Sequence, residues 1–210
     1  MRSEKLTRAW FAVTAVVALT GLVTQVIATA NDPGGRVANL LCFFTIDSNL
    51  LVTATSALVA LGVTRRQLFA VLWLDALVGI IVTGIVYQVA LAGLYELHGL
   101  SLFSDTMLHK VTPILFVLGW LVAGPRGVLT WRTVCWSLLY PLAWLAFTLP
   151  RGAVTGFYPY PFVDAAALGY GRVTINCVVI GLFFTVLAIG ALILDRRLSK
   201  KSSTIPETAS

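Results

Sequence analysis

Thr45 and His109 are the residues whose types and placing could do chemistry, because each stands a short way inside its own apolar segment. A hydroxyl becomes a nucleophile when a neighbouring base takes its proton, and imidazole is the usual base near neutral pH. The run Cys42-Phe43-Phe44-Thr45-Ile46-Asp47-Ser48-Asn49-Leu50-Leu51 sets a polar cluster in a strongly apolar stretch. In a helix, Thr45, Ser48 and Asn49 fall at i, i+3 and i+4 and share one face, while Asp47 points elsewhere. Lipid offers that face no hydrogen-bond partner, so it should look into a helix bundle. Asn49, one turn from Thr45, could donate to a developing oxyanion, and Ser48 is a rival nucleophile. The same residue types also join membrane helices through interhelical hydrogen bonds with no chemistry attached.

The second cluster reads Ser104-Asp105-Thr106-Met107-Leu108-His109-Lys110-Val111-Thr112-Pro113. Asp105 precedes His109 by four residues, so a helix that begins early enough lets the carboxylate orient the imidazole and select its tautomer. Otherwise Asp105 caps a helix and His109 is an interfacial residue. Pro113 is expected in the first turns of that helix, where a missing N–H costs little.

The elements that must position these residues follow from composition. Apolar residues make up 58% of the 210 and charged ones 11%, and the mean hydropathy is +0.89. Such a chain is an integral membrane protein. Unpaired backbone groups cannot sit in lipid, so ~20 apolar residues per crossing should be helical. Six spans are expected, over Leu6–Thr29, Asn39–Leu61, Gln67–Leu91, Leu108–Ala123, Thr133–Leu149 and Thr174–Leu194. This predicts an all-α polytopic bundle, a single six-helix transmembrane domain over residues 1–198, and a polar, disordered cytoplasmic tail over 199–210. Arg2, Lys5 and Arg8 ahead of a stretch ending in Ala28-Thr29-Ala30 also suggest a cleaved signal peptide, which would leave five spans. The stretch exceeds the ~7–15 residues of a signal core and reads better as a span.

Charge gives the orientation. Arg2, Lys5, Arg8, Arg65, Arg66, Arg126, Arg132, Arg196, Arg197, Lys200 and Lys201 fall on one side of the expected spans, and only Arg36, Lys110, Arg151 and Arg172 on the other. The positive-inside rule puts both termini in the cytoplasm, with the basic loops facing anionic inner-leaflet lipid of the cell membrane. These residues lie beside spans with no reader motif behind them, which argues against nucleic acid as a partner. In this topology the second and fourth spans begin outside. Thr45 then lies ~9 Å along the helix from Asn39, at a depth compatible with contact to His109.

Two other regions carry polar groups worth following. The outer loop from Pro150 to Val173 holds Phe157-Tyr158-Pro159-Tyr160-Pro161-Phe162-Val163-Asp164. It reads as an interfacial aromatic belt, or as a cover over a lipid-facing cavity in which Tyr158 and Tyr160 meet substrate and Asp164 is an alternative partner for His109. Asp75, in the third span, should pair if buried, or line a proton or ion path. Cys42, Cys135 and Cys177 are odd in number, lack metal-ligand spacing and read as small core residues. His98 and His109 are the only histidines and HExxH is absent, so no metal site and no cofactor are expected.

At these residues the chain resembles the androgen-induced and androgen-dependent membrane proteins of animals and their prokaryotic six-span relatives. The resemblance rests on the runs at 44–51, 108–113 and 158–162 and on the span count. It implies a threonine hydrolase embedded in the membrane, with Thr45 and His109 matching its nucleophile and histidine. In animal members the substrates are fatty acid esters of hydroxy fatty acids. The expectation is therefore an ester hydrolase acting on a membrane lipid or lipid-like ester, without GxSxG chemistry. The rival class is a non-enzymatic membrane protein, a small transporter or regulator built around Asp75 and Asp47.

Overall fold

The computed structural model describes residues 2–64, 67–94 and 96–202. Arg65 and Arg66 of the expected basic loop, and residues 203–210 of the expected tail, lie outside the described residues. Every regular element among the described residues is helical. Six helices are long and apolar enough to cross a membrane: Glu4–Asn31, Phe44–Leu61, Gln67–Leu91, Gly99–Ala123, Trp131–Thr155 and Ala165–Lys200. The chain is a multi-pass helical bundle.

Successive spans alternate direction, so the connections after the first, third and fifth spans gather at one end of the bundle. The third span is its hub, with 67% of its most apolar stretch buried against 17% for the sixth. Trp73 on that hub is fully buried and packs edge-on against Phe11 of the first span at 5.4 Å and Phe116 of the fourth at 5.0 Å. Lipid tails are as apolar as these side chains, so close packing and interhelical hydrogen bonds hold the bundle together more than exclusion from water does.

Several boundaries differ from the sequence expectation. The fourth span starts at Gly99, nine residues before Leu108, and the helical run of the sixth at Ala165, ahead of Thr174, with a kink at Gly169, where φ is 73°. The fifth span runs on to Thr155, where Gly156 closes it in the left-handed conformation at φ 72°. The expected outer loop therefore shrinks to a short connection holding the 3-10 turn Pro161–Val163. The last helix continues through Ser202, past the start of the expected tail. Before the second span the chain makes a 3-10 turn over Val37–Cys42 and an extended step at Phe43. Thr45 is consequently in the first turn of its helix, not ~9 Å down it.

The fourth span is not a regular α-helix, and Pro113 explains why. Its α-helical start, Gly99–Thr106, passes into a π turn over Met107–Val111 before the α-helix resumes at Thr112. Pro113 is thus interior to the span and not near its start. A proline has no N–H and crowds the carbonyl four residues back, and a π turn absorbs both effects. Thr112 N–H reaches back five residues to Met107 O. The helix crosses its neighbours closely here: a Cβ on Gly21 of the first span would lie 2.9 Å from Leu108, and one on Gly84 of the third 3.6 Å from His109 O. A second π turn, Tyr87–Leu91, ends the third span at the same end of the bundle.

Candidate active site

The two π turns and the first turn of the second span meet around Thr45. Its Oγ1 is 3.2 Å from His109 Nε2, and the residue is buried. His109 Nδ1 faces Asp105 Oδ1 at 3.0 Å and the Asp105 carbonyl at 3.2 Å. A backbone carbonyl only accepts, so Nδ1 carries the proton of the neutral ring. Nε2 is then left as an acceptor aimed at the Thr45 hydroxyl.

Tyr87, a residue not among the sequence-expected site residues, completes this arrangement. Tyr87 donates to Asp105 Oδ2 at 2.6 Å, and its ring stacks on the imidazole with centroids 4.0 Å apart and planes 16° from parallel. The Asp105 carboxylate therefore holds His109 with one oxygen while Tyr87 holds the other. The outward clue in the sequence was slight: a tyrosine at the end of an apolar span, on the side of the bundle where Asp105 needs a second donor.

Tyr160 approaches Thr45 from the opposite side. Its hydroxyl accepts the Thr45 N–H at 3.2 Å and lies 3.3 Å from Oγ1. The ring is wedged between Phe43, in edge contact at 5.7 Å, and Phe162, stacked at 5.1 Å. Burial pushes the Tyr160 hydroxyl up to about 12, so it stays a neutral donor near pH 7. Its oxygen accepts the Thr45 amide, and within the hydroxyl pair either Tyr160 or Thr45 can donate to the other. When Tyr160 is the donor of that pair, the Thr45 proton is directed to His109 Nε2.

The other expected site residues have different occupations. Asn49 gives both amide hydrogens to backbone carbonyls, Thr45 O at 2.8 Å and Leu108 O at 3.2 Å, and so is not the free oxyanion donor expected of it. The π turn sends Thr112 N–H to Met107, and Pro113 has none, so Leu108 O has lost its helical partners and Asn49 supplies one. Asn49 thus ties the second span to the fourth at the level of the site. Ser48 bonds the Tyr140 hydroxyl at 2.9 Å.

Asp164 receives the Ala166 and Ala167 amides at 2.9 and 3.0 Å, capping the short helical turn ahead of the kink at Gly169 and not acting as a partner of His109. Tyr158 packs over Gly152 and does not reach Thr45. Asp75 is buried elsewhere, and its Oδ1 has no hydrogen-bond partner, against the expected pairing. Of the cysteines, Cys42 is buried, Cys177 half-buried and Cys135 exposed, so Cys135 is not a core residue. Among the described residues no cluster of three or more His, Cys, Asp or Glu side chains forms.

Two cavities share Thr45. An apolar chamber of about 330 Å³ runs along the third, fifth and sixth spans, past Phe44, Val86, Leu145 and Gly181. A more polar vestibule of about 440 Å³ lies among the connections at the site end, with Asp32, Arg36, Asn39, Asp105 and His109 in its wall. Thr45, Tyr87, Leu91 and Tyr160 belong to both walls, whereas His109 and Asp105 line only the vestibule. Comparison of the chain with family models, with curated proteins and with solved structures finds no match.

Proposed function

We propose that the chain is a membrane-embedded ester hydrolase in which Thr45 is the nucleophile, His109 the base and Asp105 the group that orients it. The observation that carries this reading is the contact of Thr45 Oγ1 with His109 Nε2 at 3.2 Å, on an imidazole whose other nitrogen faces Asp105 at 3.0 Å. The resemblance of the runs around Thr45 and His109 to the androgen-induced family supports the same roles. Both termini and the basic loops face the cytoplasm in this proposal, against anionic lipid of the cell membrane, and the site opens to the outer face.

The chemistry proceeds by acyl transfer. Thr45 Oγ bonds to the ester carbonyl carbon while its proton passes to His109 Nε2. Tyr160, not Asn49, is placed to donate to the carbonyl oxygen as it gains charge. The carbon–alkoxy bond then breaks and His109 returns the proton to the leaving oxygen. Water repeats the sequence: its oxygen bonds to the acyl carbon, its proton goes to His109, and the Thr45–acyl bond breaks with that proton restored to Oγ. The rival transporter draws on Asp75 and its unpartnered Oδ1.

Labelling of the purified protein by a lipophilic fluorophosphonate separates the two. Wild type and Ser48→Ala are expected to label, and Thr45→Ala and His109→Ala to lose the signal at least 100-fold. Equal labelling of all four, or none in well-folded wild type, would reject the hydrolase.

A further inference from the structure

We infer that the apolar chamber takes a fatty acyl chain and the vestibule the alcohol half of the ester, with Gly181 setting acyl length; this assignment rests on the hydrolase reading above. The orientation follows from which wall each group occupies. The group that protonates the leaving alkoxide must face it, and His109 lines the vestibule and not the chamber. The leaving oxygen is therefore on the vestibule side of Thr45. The acyl chain extends the other way, into the chamber.

Solvation favours the same orientation. The vestibule's outer rim carries the exposed Asp32 and Arg36, so a departing alcohol meets a polar, wet space and water can take its place beside His109. The chamber wall is mostly aliphatic and aromatic, with Thr83, Thr185 and Cys177 among its lining, and three of its residues, Leu142 of the fifth span and Val178 and Leu182 of the sixth, are exposed on the outer surface of the bundle. That opening faces the lipid, where an acyl chain already resides and needs no transfer through water. Its volume of about 330 Å³ falls at the lower end of the ~300–1,000 Å³ common for ligand pockets, which suits one chain and not two.

Gly181 is where the chamber's length can be changed without disturbing the fold. It lines the chamber, and a Cβ built on it meets no atom within 4 Å. A larger side chain there has room, and the room it takes is the chamber's. Leu142 offers a second, independent wall, already exposed and so tolerant of size.

The test is hydrolysis of 4-nitrophenyl esters with acyl chains of roughly 4 to 16 carbons by wild type, Gly181→Leu, Leu142→Trp and Thr45→Ala in detergent micelles. A matched series with a constant acetyl group and an alcohol of growing length accompanies it. In the two chamber variants kcat/KM for the longest acyl chain is expected to fall about tenfold or more, with the shortest within about twofold of wild type. The alcohol series should not change. Unaltered acyl profiles in both variants, with Thr45→Ala inactive, overturn the chamber assignment and leave the hydrolase standing. A shift confined to the alcohol series reverses the orientation and overturns it too. Full activity in Thr45→Ala instead removes the nucleophile, and with it the reading on which this inference rests.

Discussion

Asp105 and Asp195 are both buried carboxylates on membrane-spanning helices, and each has two hydrogen-bond donors, yet the donors differ in kind. Asp195, near the end of the sixth span, accepts the Gly127 and Leu129 amides at 3.0 and 3.1 Å. It fixes the connection between the fourth and fifth spans, at the end of the bundle opposite Thr45. Asp105 accepts from Tyr87 Oη and His109 Nδ1, two side chains that line the wall of a cavity. Backbone amides neither titrate nor pass protons, so the Asp195 arrangement can only hold. The Asp105 arrangement can hold and also respond when a proton reaches the imidazole. Both carboxylates are buried and each has two donors; the chemistry of the partners distinguishes an anchor from a candidate catalytic carboxylate.

Asp105→Asn gives the largest expected effect. The amide can present N–H to the imidazole, favouring the tautomer with Nε2 protonated, which cannot accept the Thr45 proton. Ester hydrolysis should fall about 10²–10⁴-fold, or ~3–5 kcal/mol of transition-state stabilisation. Thermal stability should change little, because interhelical side-chain hydrogen bonds in membranes average only ~0.6 kcal/mol. Asp195→Ala should behave the other way. The buried Leu129 amide and the amide of the exposed Gly127 lose their acceptor, for about 2 kcal/mol and a fall of roughly 4–8 °C in the melting of detergent-solubilised protein, with turnover per folded molecule unchanged. Equal losses of turnover in the two variants, or equal losses of stability, would erase the distinction between the ends.

The six spans were legible because a bilayer demands long apolar helices of any chain that crosses it. Their starts were less so. Gly99–Thr106 carries Ser101, Ser104 and Asp105 and lacks the apolar density of a span, yet it is the first two turns of one. The π turn that follows shifts the register at His109 in a way a 3.6-residue period does not encode. Thr45, Asp105 and His109 could be named from residue type and spacing alone. The geometry that joins them could not, since it depends on the extended step at Phe43, which brings Thr45 into its helix's first turn. Pro113 held a readable clue to Asn49: a proline inside a helix orphans a carbonyl about one turn back, and a buried amide on a neighbouring helix can fill it. Tyr87 had no such marker, because its role depends on the second oxygen of a carboxylate eighteen residues away in sequence.

Asp75 tests whether buried charge by itself marks function in this bundle, and its substitution should have the smallest effect. It is as buried as Asp105, but its Oδ1 has no hydrogen-bond partner, and neither cavity includes it in its wall. Asp75→Asn preserves the shape, removes an ionisable group from the bundle interior, and breaks no hydrogen bond at Oδ1. Hydrolysis should stay within about twofold of wild type and stability within ~1 kcal/mol, with any change toward greater stability, since a buried carboxyl whose Oδ1 has no hydrogen-bond partner is costly to bury. The contrast with Asp105 then depends wholly on partners, as it does for Asp195. A large loss of hydrolysis in Asp75→Asn would instead connect the third-span interior to the site. Gradient-driven flux that disappears in this variant, while fluorophosphonate labelling of Thr45 is absent, would favour the transporter reading over the hydrolase.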